Sequence, residues 1–202
     1  MRLINYLNES DEITDDIIGK LKKDCSPIIS LYKKTKLPIY RGLKNDIDFF
    51  VEKKVRKNRK PRVIGKTLHK LLDELYLKHW GFKARSQGLF CGAYNAAANW
   101  GEGSPYIIFP VGKFKYVYTI LDETDFWSNV LTHYEDYQNN SDFEDYEIED
   151  ISERIKDDYF NKGIEPIIKS KTRYEVIINC NKYYAIKENI KRDRLNEILY
   201  KV

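Results

Sequence analysis

Apolar residues recur along this chain at two spacings. Ile13, Ile17, Ile18 and Leu21 lie four and three apart, which makes one stripe of a helix. The segment from Ser10 to about Lys23 offers Ser10 as N-cap, acids in its first turns and lysines at its end. Leu68, Leu71, Leu72, Leu75 and Tyr76 recur at i, i+3, i+4, i+7 and i+8 and predict a second helix, capped by Thr67 and stopped by Gly81. Ala93 to Trp100 reads as a short Ala-rich helix ended by Gly101, and Asp125–Tyr134 and Ile148–Phe160 as two more, with a loop over Gln138–Asp142. Strand-like runs are Leu37–Tyr40, Leu89-Phe90, Tyr106–Val111, Phe114–Ile120, Tyr174–Asn179 and Lys182–Lys187. Gly112-Lys113 and Cys180-Asn181 separate two pairs of these by two residues, the length of a hairpin turn. Interspersed helices and apparent hairpins, without regular βαβ units, predict an α+β fold.

Composition narrows the class. The 202 residues, 42% apolar and 14% aromatic, suffice for one folded domain, and 16 Tyr argue against disorder. We expect an N-terminal helical segment over residues 1–36 and a main unit over 37–202. No stretch approaches the 18 or so apolar residues a membrane helix needs. No apolar core precedes Glu9, so no signal peptide is expected. Cys25, Cys91 and Cys180 are an odd number at wide spacing, which suggests neither a disulfide framework nor a zinc cluster. They point to a reducing compartment, the cytoplasm. His69, His79 and His133 lack metal-ligand spacing, and no metal is expected.

The net charge of +4 hides a bipolar chain. Residues 53–66 hold Lys53, Lys54, Arg56, Lys57, Arg59, Lys60, Arg62 and Lys66 and no acid; residues 122–158 are strongly acidic, opposed only by Arg154 and Lys156. The basic stretch, broken by Pro61 and Gly65, reads as a loop with at most one short strand. It suits a nucleic-acid backbone, or else is a solvated loop paired with the acidic zone. The acidic zone is a docking face for a basic partner or simply a solvated one.

Three short pieces carry candidate chemistry, while P-loop and dinucleotide fingerprints are absent. Tyr40-Arg41-Gly42 ends an apolar run, and a guanidinium there can fork onto phosphates or join a surface ion pair. Arg85-Ser86-Gln87-Gly88 precedes Leu89-Phe90; a Ser at a strand edge can bond a sugar hydroxyl or merely shape a turn. Glu175 opens the apolar run Tyr174–Asn179, where a carboxylate can stabilise positive charge or guard a sheet edge. Tyr116, Tyr118, Tyr183 and Tyr184 read as sheet packing.

Taken in order, these pieces resemble the Arg-Ser-Glu class of mono-ADP-ribosyltransferases, particularly the compact phage enzymes. The resemblance spans about Leu37 to Ile186. It implies a split antiparallel β-sandwich with peripheral helices, 37–202 being the catalytic domain, and NAD as the substrate that donates ADP-ribose. It implies that Arg41 holds the NAD phosphates and Gly42 meets the nicotinamide amide through its backbone. Ser86 would bond the nicotinamide ribose and orient Glu175, and Glu175 would stabilise the oxocarbenium-like transition state. The sequence departs from the family at two points. Arg85 precedes Ser86 and is a candidate second phosphate contact. Arg173 stands two before Glu175, where the family has Glu or Gln, and disfavours an arginine acceptor. The acceptor is then another protein group or nucleic acid. The rival expectations are a non-enzymatic basic nucleic-acid-binding or phage interaction protein, and a degenerate transferase fold kept for binding.

Overall fold

The computed structural model describes residues 13–44, 48–60, 64–95, 103–120, 143–170, 173–188 and 195–196. Within them the chain is α+β, as expected, with seven strands in one wholly antiparallel sheet. The elements are α1 (Asp15–Asp24), α2 (Ser26–Thr35), β1 (Tyr40–Leu43), β2 (Phe50–Lys54), α3 (Lys66–Trp80), α4 (Ala84–Gln87), β3 (Leu89–Gly92), β4 (Ser104–Pro110), β5 (Lys115–Ile120), α5 (Asp145–Asp158), α6 (Ile164–Ser170), β6 (Tyr174–Asn179) and β7 (Lys182–Lys187).

Local sequence explains most helix ends. Ser10 lies outside the described residues; α1 is capped by Thr14, whose Oγ1 accepts from the Ile17 amide at 3.4 Å. Gly65, rather than Thr67, is the N-cap of α3, and Gly81 ends it in the left-handed conformation at φ 75°. Glu144 and Glu147 form a reciprocal capping box that starts α5 three residues earlier than its apolar spacing suggests. The helices α2 and α6 are unforeseen. The expected helix over 125–134 and loop over 138–142 lie outside the described residues, as does most of the one over 93–100.

The strand order is β2-β7-β4-β1-β3-β6-β5, and it corrects both expected hairpins. β4 pairs with β1 and β7, and β5 with β6; β6 pairs with β3 and β5, and β7 with β2 and β4. Neither connection, four residues over 111–114 and two over 180–181, joins neighbours. In a flat sheet β6 and β7 would stand about 19 Å apart, four strand spacings. Residues 180–181 span at most roughly 10 Å. The sheet therefore bends, and both short links cross between its halves, β2-β7-β4-β1 and β3-β6-β5. The bend falls at β1 and β3, whose only registered pair is Tyr40 with Gly92.

The inner core fills this bend. Val176, Ile178, Tyr174, Leu89 and Cys91 of one half share a cluster with Tyr106, Ile107, Ile108 and Ala185 of the other, and with Leu21, Ile28 and Tyr32 of α1 and α2. Tyr32 fastens α2 to the sheet: its hydroxyl donates to the Ile108 carbonyl and its ring meets Phe109 edge-on. The alternate residues Ile177 and Val117 face outward, under Leu68, Leu72, Leu75 and Tyr76 of α3 and Ile151 and Ile155 of α5. Among the described residues no helix is long and apolar enough to cross a membrane.

A cationic cleft as candidate functional site

Where β1 and β3 part, a cleft of about 660 Å³ opens between the two halves of the sheet. One wall is Arg41, Gly42, Leu43 and Lys44 with Glu52–Lys54 and Tyr183; the other includes Gly88 and Leu89. The segment after β2, with Val55, Arg56, Arg59 and Lys60, bridges them. Arg41 and Gly42, the residues expected at the NAD phosphates and the nicotinamide amide, both line this cleft. Arg62 lies outside the described residues.

The bridging segment is fastened at alternate residues. Val55 is buried and its amide donates to the Asn181 carbonyl at 2.9 Å. Lys57 donates to the Cys180 carbonyl at 2.8 Å, and the Arg59 amide donates to the Ser86 carbonyl at 3.1 Å. Lys54, Arg56 and Lys60, before, among and after them, are exposed. The segment is therefore held to the sheet through backbone carbonyls on both sides of the bend.

Phe90 is the joint of the site. Arg41 donates from Nη1 to its carbonyl oxygen, while the guanidinium groups of Arg59 and Arg85 stand 4.5 and 4.8 Å from its ring centroid. Arg41 Nε is buried with no hydrogen-bond partner among the described residues. Burial pushes the Tyr183 hydroxyl up to about 12, against the pull of the Arg41 guanidinium beside it.

Glu175 belongs to a second group, on the face of β6 under the helices. It pairs in register with Gly92 and Thr119, and alternation puts it on the same side as Ile177. It is only 7% exposed, and the Tyr159 hydroxyl donates to its Oε1 at 3.5 Å. Tyr76 completes the group. Its ring meets Tyr159 edge-on at 5.3 Å, and its hydroxyl is held far above the usual tyrosine range by burial first, then by Tyr159, with Glu175 adding and Arg85 opposing. Arg85 thus touches both groups, over Phe90 and near Tyr76. Glu175 itself does not line the cleft.

Ser86 departs from its expected place. It sits on the single turn of α4, not at a strand edge, because buried Asp73 of α3 accepts from the amides of Arg85 and Ser86 at 2.8 and 3.1 Å. Gly88 then lets α4 lie on the sheet: a Cβ there would stand 2.1 Å from Ile177 Cγ2 and 2.4 Å from the Ala84 carbonyl oxygen. Arg173 is exposed just before β6. The residues missed from sequence are Phe90, Tyr159 and Asp73. Each acts through a partner far along the chain, and only Tyr159, closing an apolar helix stripe, left a periodic signal. No family of known sequences, no curated protein and no solved structure matches the chain.

Proposed function

We propose that the chain is an NAD-dependent mono-ADP-ribosyltransferase that moves ADP-ribose to a macromolecular acceptor and releases nicotinamide. One observation carries this reading. The strands bearing the first and last motifs, β1 and β6, both flank β3, and Tyr40, Gly92 and Glu175 share one register row. Arg41 follows that row, and Arg41 and Arg85 both engage Phe90. Two strand steps, about 10 Å, then separate the backbone near Arg41 from that of Glu175. The bend between the sheet halves further supports the split antiparallel sandwich that the resemblance implies.

In this arrangement Arg41 takes the pyrophosphate, since one donor goes to Phe90 and Nε remains. Glu175 stabilises the cationic sugar as the N-glycosidic bond breaks. Its burial excludes water, so its charge acts at low dielectric. Tyr159, within hydrogen-bond range, is the residue we assign to orient it, the part expected of Ser86. Arg173, exposed at the head of β6, faces the acceptor and favours an acidic or phosphate-bearing one.

A second reading, NAD or polyanion binding without catalysis, is favoured by the absence of Glu175 from the cleft lining. Incubation with NAD separates the two. The transferase reading expects free nicotinamide to accumulate with time; saturable NAD binding without nicotinamide release would leave the second.

A further inference from the structure

We infer that the cleft's outer rim binds single-stranded nucleic acid through its phosphate backbone. The binding stands apart from the transferase reading; only the strand's role as acceptor rests on it. Among the described residues the cleft is lined by Arg41, Lys44, Lys53, Lys54, Arg56, Arg59 and Lys60, with Glu52 as the one carboxylate. Glu52 is already engaged, by Lys182 at 2.9 Å and Lys20 at 3.6 Å, neither of which lines the cleft. A dinucleotide diphosphate brings two negative charges, which Arg41 and Arg59 match. Lys53, Lys54, Arg56 and Lys60 also line it, more positive charge than such a ligand needs.

Their setting is built rather than merely solvated. Val55, Lys57 and Arg59 tie the segment to backbone carbonyls, so Lys54, Arg56 and Lys60 are presented along a fixed path at a reduced ordering cost. A run of cations facing a single, already paired carboxylate among the described residues complements a polymer that carries a charge on every unit. A nucleic-acid strand carries one charge per about 3.4 Å of helix rise, whereas carboxylates on an acidic peptide are irregular. The cations line a concave cleft rather than a flat face, a shape that a flexible single strand follows more readily than a stiff duplex, whose persistence length is about 50 nm.

The probe is a fluorescein-labelled dT20 strand, followed by fluorescence anisotropy without NAD. The expected dissociation constant is tens of micromolar or tighter at about 50 mM salt. Four rim contacts predict that log K falls with log salt at a slope near −2.8, at about 0.7 per phosphate. Lys54→Ser, Arg56→Ser and Lys60→Ser together should flatten the slope by about 2. Lys22→Ser, Lys23→Ser and Lys34→Ser, which remove the same charge from exposed sites on α1 and α2, should leave it unchanged. Unaltered far-UV circular dichroism melting checks the fold of both variants. No binding, equal affinity for a blunt duplex, equal competition by polyglutamate, or equal loss in both variants would each overturn the inference. Strand binding without nicotinamide release would uphold it and sink the transferase reading; the reverse result would do the opposite.

Discussion

Phe90 joins the two candidate groups by its backbone and its ring. Arg41 holds the carbonyl, Arg59 and Arg85 cover the ring, and Glu175 lies on the next strand. The position of Glu175 in an apolar strand was legible because one acid among Val and Ile breaks the pattern. Its partner Tyr159 was not, since the hydrogen bond joins the end of α5 to β6 and leaves no local spacing. We expect Tyr159→Phe to lower nicotinamide release at least tenfold while costing about 1 kcal/mol of stability. Its KM for NAD should change little, because the lost hydroxyl orients Glu175 and touches no phosphate. Unchanged turnover would remove that positioning role. The thiols give a second test at this scale. Burial, the largest cause in each, pushes Cys25 and Cys91 up to about 12 and Cys180 to about 11. A raised thiol stabilises the fold below its unfolded value near 9 and loses that contribution as pH rises through 11 to 12. All three are free and buried. Ellman's reagent at pH 8 should therefore find no thiol until denaturant is added, and the denaturation midpoint should fall steadily above pH 9. A midpoint level through pH 11 would contradict this.

Elements were legible where one period ran long enough. The stripe of α3 is read correctly because Leu68, Leu72, Leu75 and Tyr76 all meet the sheet. Pairing was not legible. Gly112-Lys113 and Cys180-Asn181 do lie between successive strands, but a turn signal says nothing about which neighbour a strand takes. That is decided by ladders from β3 and β1, about 60 and more residues away in sequence. The strand-edge setting of Ser86 failed for a like reason, since Asp73 caps α4 from another helix. Two glycines separate clash from backbone strain. At Gly88 a Cβ meets both Ile177 and the Ala84 carbonyl, so Gly88→Ala should cost about 3 kcal/mol, the upper end of overpacking. At Gly112 nothing lies within 4 Å, and only the φ of +74° resists a side chain. Gly112→Ala should cost about 1–2 kcal/mol. Urea denaturation of both variants checks the order, and equal midpoints would contradict the packing of α4 on β6.

At the scale of the whole molecule the bend matters most. Two links too short for a flat sheet force β2-β7-β4-β1 and β3-β6-β5 apart at β1 and β3, and the opening is where the basic segment crosses. A net charge of +4 says little about this, because seven of the 35 basic residues share one cleft. Arg41 therefore acts from a seam in the sheet, and Glu175 lies two strand steps away beneath α3 and α5. If that geometry cleaves NAD, removing the charge of Glu175 while keeping its shape should abolish turnover and spare binding. The direct measurement is the initial rate of nicotinamide release by the wild type and by Glu175→Gln at saturating NAD. The account predicts a fall of at least a hundredfold, with NAD affinity altered less than threefold, for an electrostatic contribution of about 2.7 kcal/mol or more. Equal rates in the two proteins would contradict it.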